Sequence, residues 1–209
     1  MQPTIPRAAQ ATWDPSQAAL TAGAAGILAV AVYALIVAVP LGDVATPFVA
    51  SLFGPLLAGA SVALYIVLAV ERPSFSGLLA AIANVAAGAL VTAMLLVQLA
   101  VDDFADEGRL SSSLEDAFER VEFGLDLSWD VFIAAGTILF GLAMLRHPRF
   151  GRWFGLSGIV VGAALYALNF ATFPTPPADG GLIDLGPLVG AWYAVVSVRT
   201  LRFRSALPR

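Results

Sequence analysis

Cysteine is absent from this 209-residue chain, which excludes a disulfide framework, thiol chemistry and any thiolate metal site. Lysine is absent as well. All 11 basic residues are arginine, so a retinal Schiff base and a lysine nucleophile are excluded. Histidine occurs once, as His147 between Arg146 and Pro148. A single imidazole cannot build a histidine-based metal centre, and no serine–histidine pair can be assigned as nucleophile and base. The position of His147 in a basic turn suits a structural or headgroup contact. No catalytic constellation, metal set or cofactor motif is present, and none of the three is expected. Glu119-Arg120-Val121-Glu122 has the acidity of a protease motif without its histidines and reads as a solvated face. Charge is scarce at 12%, and a pI near 4.8 argues against nucleic acid as a partner, because neutralising phosphates takes clustered cations.

What fills the chain is apolar. Hydrophobic residues make up 59% and the mean hydropathy is +0.84, whereas soluble domains have about 45–50% apolar and about 25% charged residues. That much apolar surface cannot be hidden in one water-soluble core. Crossing a ~30 Å hydrocarbon layer takes about 20 apolar residues as a helix. Five windows meet this: 18–39, 48–70, 76–101, 153–174 and 185–203, the last with Arg199 and Arg202 snorkelling to the interface. A sixth, 123–145, must start near Phe123 because Val131–Leu145 alone is too short, and this draws Asp126 and Asp130 into the helix. Breakers stand between the windows: Pro40, Gly42 and Pro47, then Arg72-Pro73, Pro148, and Pro174, Pro176 and Pro177. Arg7 precedes the first run, but that run is too long for a signal-peptide core and reads as an uncleaved span.

Charge orients the spans. Arg7, Arg72, Arg146, Arg149, Arg152, Arg199, Arg202, Arg204 and Arg209 fall on one side, against Arg109 and Arg120 on the other, which holds 13 of the 15 acids. By the positive-inside rule both termini are cytoplasmic. The expectation is therefore an all-α, single membrane domain over 1–209, a polytopic bundle of six helices with an external acidic loop at 102–124. Within that loop Ser112 with Glu115 and Ser113 with Asp116 read as capping boxes, followed by Leu114, Phe118, Val121 and Leu125 at helical spacing. These predict a short amphipathic helix running into the fourth span, its apolar stripe packing on the bundle or docking a basic partner.

Depth singles out a few polar residues. At 1.5 Å rise per residue, Asp130 sits ~24 Å above Arg146, Asn169 ~25 Å and Tyr166 ~21 Å above Arg152, and Thr92 ~26 Å above Phe75. Asp126 lies one turn above Asp130 on the same face, which would make an outward-open acidic funnel. Ionisable groups within spans usually face the bundle interior or a wet cavity. The ligand-binding candidates are thus Asp130 as charge partner, Asp126 above it, Asn169 and Thr92 as neutral ligands, and Tyr166 as a donor at the rim. The competing reading is that Asp130 caps or snorkels beside Trp129 while Asn169 and Thr92 bond between helices. Gly151, Gly155, Gly158 and Gly162 share a face of span five that suits close packing, with Gly141 and Ala134 of span four as contacts. Spans three, four and five are accordingly expected to form the bundle core.

The stretch from Phe123 to Leu168 resembles the carboxyl-terminal part of a prokaryotic family of small six-span membrane proteins catalogued as a domain of unknown function. The resembling features are the Asp-bearing start of span four, Gly141 late in it, a basic Pro-containing turn ending in aromatics and glycine, and a Gly-rich span five. The resemblance covers under a quarter of the chain and implies a fold, a topology and a prokaryotic cell membrane, with no activity or catalytic residues to carry over. Expected partners are membrane lipids and another membrane protein or a second copy. The function reading is transport or sensing of a cation, proton or small polar solute through the outward pocket. The alternatives are a structural or accessory subunit without ligand and, least favoured, a lipid-acting enzyme.

Overall fold

A computed structural model describes residues 14–42, 44–106 and 111–207. Arg7, Arg109 and Arg209, used above for orientation, lie outside the described residues. Among those described there are six α-helices and no strand: α1 (Pro15–Ala38), α2 (Ala45–Glu71), α3 (Phe75–Asp106), α4 (Ser112–Met144), α5 (Gly151–Thr172) and α6 (Gly186–Phe203). A single 3-10 turn, Arg204–Ala206, follows. Five of the six helices, α1 to α5, are long and apolar enough to cross a membrane. The sixth, of 18 residues, rises about 27 Å.

Local chemistry sets the helix ends. Asp14 caps α1, its carboxylate accepting from the Ser16 amide at 2.9 Å, with Pro15 in the first turn, where its missing N–H is no loss. Val39 and Arg72 each precede a proline, which disfavours helical backbone. Val39 is extended and Arg72 has left the helical region, and α1 and α2 end there. Ser74 opens α3 by accepting from the Gly77 amide at 3.1 Å, and Asp184 opens α6 by accepting from the Gly186 amide at 2.8 Å. Gly151 begins α5 at φ +75°, a left-handed conformation that glycine adopts without strain.

The segment 102–124 is more helical than a loop. α3 continues to Asp106 and α4 starts at Ser112, so the expected amphipathic segment and span four are one helix of 33 residues. The cap is Ser111, one residue before the first box and two before the second, and it acts through its backbone carbonyl rather than its hydroxyl. Gly124 does not interrupt the helix, which is continuous from Ser112 to Met144.

Successive helices pack as antiparallel neighbours from α1 to α5, and α6 returns against α1 to close the ring. Glycines bring the backbones together. A methyl on Gly54 would overlap the Gly88 carbonyl across α2 and α3. On Gly141 or Gly155 it would come within 2.8 Å of the other's carbonyl, and on Gly162 within 2.8 Å of the Ala134 carbonyl. The α4–α5 seam therefore uses Gly155, Gly158 and Gly162. Gly151 takes no part, because it is occupied with the turn. The core draws on more than α3, α4 and α5. Leu68 and Val67 of α2 and Val196 of α6 are as buried as Ile133 and Phe140 of α4, and Trp192 and Tyr193 of α6 are buried as well. The outer surface is apolar, with Val37, Phe48, Val160 and Trp153 all exposed.

Candidate functional site

α4 and α5 meet through Asp130 and Asn169. Asn169 is fully buried, and its amide nitrogen donates to Asp130 Oδ2 at 2.7 Å and to the Leu165 carbonyl at 3.1 Å. Asn169 Oδ1 is buried without a partner. Asp130 is 8% exposed, and among the described residues its Oδ1 accepts no hydrogen bond. It faces an internal chamber of about 270 Å³ bounded by all six helices. Along α6 the lining runs from Gly186 to Thr200, about 21 Å at helical rise.

The two ends of the chamber differ. One carries Asp126, Asp130 and Asp184, together with Tyr33 and Trp129, beneath the Pro176–Ala178 part of the α5–α6 connection. Phe53 joins Tyr33 and Trp129 in a chain of rings, with centroids 5.5 and 5.8 Å apart. The middle is aliphatic: Ala29, Leu57, Val91, Met94, Ile133 and Leu165. The other end carries the hydroxyls of Ser61, Tyr193, Ser197 and Thr200. Behind this end lies a buried polar knot that joins four helices. Asn84 of α3 donates to Ser61 Oγ of α2 at 2.9 Å and to Tyr193 Oη of α6 at 2.7 Å, and Thr137 Oγ1 of α4 lies 3.3 Å from the same Tyr193 oxygen. Side-chain hydrogen bonds between membrane helices contribute about 0.6 kcal/mol on average, so the knot secures helix register more than it adds stability.

Of the residues singled out by depth, Asp126 and Asp130 line the chamber and Asn169 stands behind Asp130. Tyr166 and Thr92 are elsewhere. Tyr166 is 44% exposed on the outside of α5, where its ring packs on Phe170 with centroids 4.8 Å apart. Thr92 bonds back to the Gly88 carbonyl of its own helix at 2.8 Å and sits in the α2–α3 seam beside Gly54. Sequence reasoning passed over Asp184, Tyr33 and Tyr193, which line the chamber from α1, α6 and the α5–α6 connection. Asp184 had one available signal, its place as the Asx cap just before Gly186-Pro187.

The arginine-rich end is built differently. Glu71, ending α2, pairs with Arg149 in the α4–α5 turn. Arg149 also donates to the Ala206 carbonyl at 3.1 Å and lies 5.3 Å from the Phe203 ring centroid. Arg199 donates twice to the Arg149 carbonyl, at 3.1 and 2.9 Å, and Arg72 reaches the Arg146 carbonyl at 3.3 Å. His147 does not reach outward to headgroups. It is 2% exposed, its Nε2 3.8 Å from Glu71 Oε2, because the turn at Pro148 and Gly151 folds the ring beneath the chain. Burial pushes its pKa below the ordinary 6.5; the Glu71 carboxylate opposes that shift, while Arg149 and Arg72 reinforce it. Among the described residues no group of three or more acids and histidines could hold a metal ion. The chain matches no protein-family model, no curated protein and no solved structure.

Proposed function

We propose that this chain is a six-span membrane protein with both termini in the cytoplasm, and that its acid-ended chamber binds a cation for transport or sensing. The six-span count is supported by α6, which buries Trp192, Tyr193 and Val196 among the other helices and so shares their depth. With six spans, the arginine-rich turns and the acid end fall on opposite sides, as the positive-inside rule requires.

The observation that carries the cation reading is Asp130. A carboxylate more than nine-tenths buried, held through one oxygen by Asn169 on the wall of a chamber that Asp126 and Asp184 also line, is a surplus of negative charge without a basic partner among the described residues. Buried charge of one sign is costly unless something neutralises it. A cation, protons included, would do so. A purely structural subunit is less well supported, because the small-residue face of α5 is spent on α4 and Trp192 inside the chain.

The test is thermal unfolding of wild type and Asp130→Asn across pH and a panel of cations. A ligand bound only by the folded state must raise the midpoint. A cation- or proton-dependent shift in wild type that the variant lacks supports the site. Identical responses from the two proteins would remove it.

A further inference from the structure

The composition of the chamber narrows which cation it takes. Resting on the cation reading, we infer that the ligand is an amphipathic organic ammonium, its charged head among the acids and an apolar body filling the chamber below.

A bare metal ion is a poor occupant. Hard cations gather six or more oxygens around themselves. Here the carboxylates are confined to one end, and below them lie Phe53, Leu57, Met94 and Leu165. Such a ratio, mostly apolar wall with a few convergent polar groups, is that of a small-molecule pocket. The aromatic chain adds direction. Tyr33, Phe53 and Trp129 stand beside the acids, where ring faces attract an alkylammonium that has shed its water.

Most hydroxyls of the far end already have partners. Ser61 and Tyr193 are hydrogen-bonded to Asn84, and Thr200 donates to the Val196 carbonyl at 2.8 Å. Ser197, pressed against Gly26, is the remaining hydroxyl there. Asp130 and Thr137 are seven residues apart on α4, so the acids stand about 10 Å from the knot, enough for a phenyl or short alkyl body between them. Gly190 opens on this space, with nothing within 4 Å of where its Cβ would stand.

The experiment compares benzyltrimethylammonium with its neutral isostere neopentylbenzene, with tetramethylammonium and with sodium and potassium, using unfolding midpoints of the purified full chain. The expected result is that benzyltrimethylammonium gives the largest upward shift. Its apparent affinity should fall about tenfold or more in Asp130→Asn, as for loss of one buried charge partner. Gly190→Leu, which narrows the chamber while leaving all three carboxylates in the sequence, should abolish the benzyltrimethylammonium shift and spare that of tetramethylammonium. If Asp130→Asn does not fold, Asp126→Asn replaces it, and the comparison with neopentylbenzene needs no variant. Equal shifts from the ammonium and the neutral isostere overturn the inference. So does an Asp130-dependent response to sodium, potassium or protons without one to benzyltrimethylammonium, an outcome that leaves the broader cation reading intact. Silence from every cation and from pH removes both.

Discussion

Two carboxylates in this molecule sit between helices, and they are treated in opposite ways. Glu71 is met by the Arg149 guanidinium, which is itself tied to the Ala206 carbonyl and the Phe203 ring, so the charge is part of the joint between α2, the α4–α5 turn and the chain end. Asp130 is met only by an uncharged amide, with two further acids in the same chamber. The first arrangement is closed and the second is incomplete. That incompleteness, on the wall of a cavity, is what makes the chamber a candidate site.

Neutralising each carboxylate in turn is the strongest way to break this comparison. Glu71→Gln leaves Arg149 half-buried without its counter-charge and should destabilise the fold by about 2 kcal/mol, a figure below the 3–5 of fully buried pairs because both side chains retain some solvent. Asp130→Asn should act in the other direction without ligand, stabilising by up to about 1 kcal/mol as a desolvated charge is removed. Unfolding midpoints of the two variants, measured side by side, decide it. Two losses of similar size would show that Asp130 is as structural as Glu71.

A smaller effect sharpens the inner end. His147 has its pKa lowered by burial, so the neutral ring favours the fold. Above pH 6.5 the ring is neutral in both states and stability is unaffected. As pH falls below 6.5 the unfolded chain takes up a proton that the buried ring resists, and stability declines until the folded ring titrates as well. The slope is at most about 1.4 kcal/mol per pH unit for one proton. His147→Gln should flatten it, which stability measured from pH 7 downward in both proteins would show. The smallest effect is at the outer depth. Tyr166→Phe, on an exposed ring, should change stability and cation response by less than about 0.5 kcal/mol. A larger loss would bring Tyr166 back to the site.

Sequence reading reached the helices and one coordinate of the site. Span limits of 18–39 and 153–174 meet helices Pro15–Ala38 and Gly151–Thr172 because proline, glycine and capping side chains act locally. Counting residues from Arg146, Arg152 and Phe75 placed Asp130, Asn169, Tyr166 and Thr92 at one depth, and depth is what a fixed rise per residue supplies. It says nothing of direction around the helix axis. Asp130 and Asn169 face each other, while Tyr166 turns outward and Thr92 turns into another seam. Nor does one sequence reveal that α6 lies beside α1, which brings Asp184 and Tyr193 to the same chamber as Tyr33. The glycine partners across α4 and α5 were easier, since small residues at helical spacing on consecutive antiparallel helices have few other places to meet.

The glycine contacts divide the ring into a wall and a door. From α2 to α5 backbone meets backbone or nearly so: Gly54 against Gly88, Gly136 against the Ala80 carbonyl, Gly141 against Gly155. α1 belongs with this wall, since it packs on α2 as extensively as the other neighbours pack on one another. The sparse joint is between α5 and α6, where Trp192 lies on Gly158 and donates to the Phe154 carbonyl. Shifting helices within the wall would drive carbonyl into carbonyl, whereas parting α6 from α5 asks mainly for the Trp192 ring to move. Any opening wide enough to admit or release an occupant therefore belongs to the α5–α6 joint, with Trp192 as its latch.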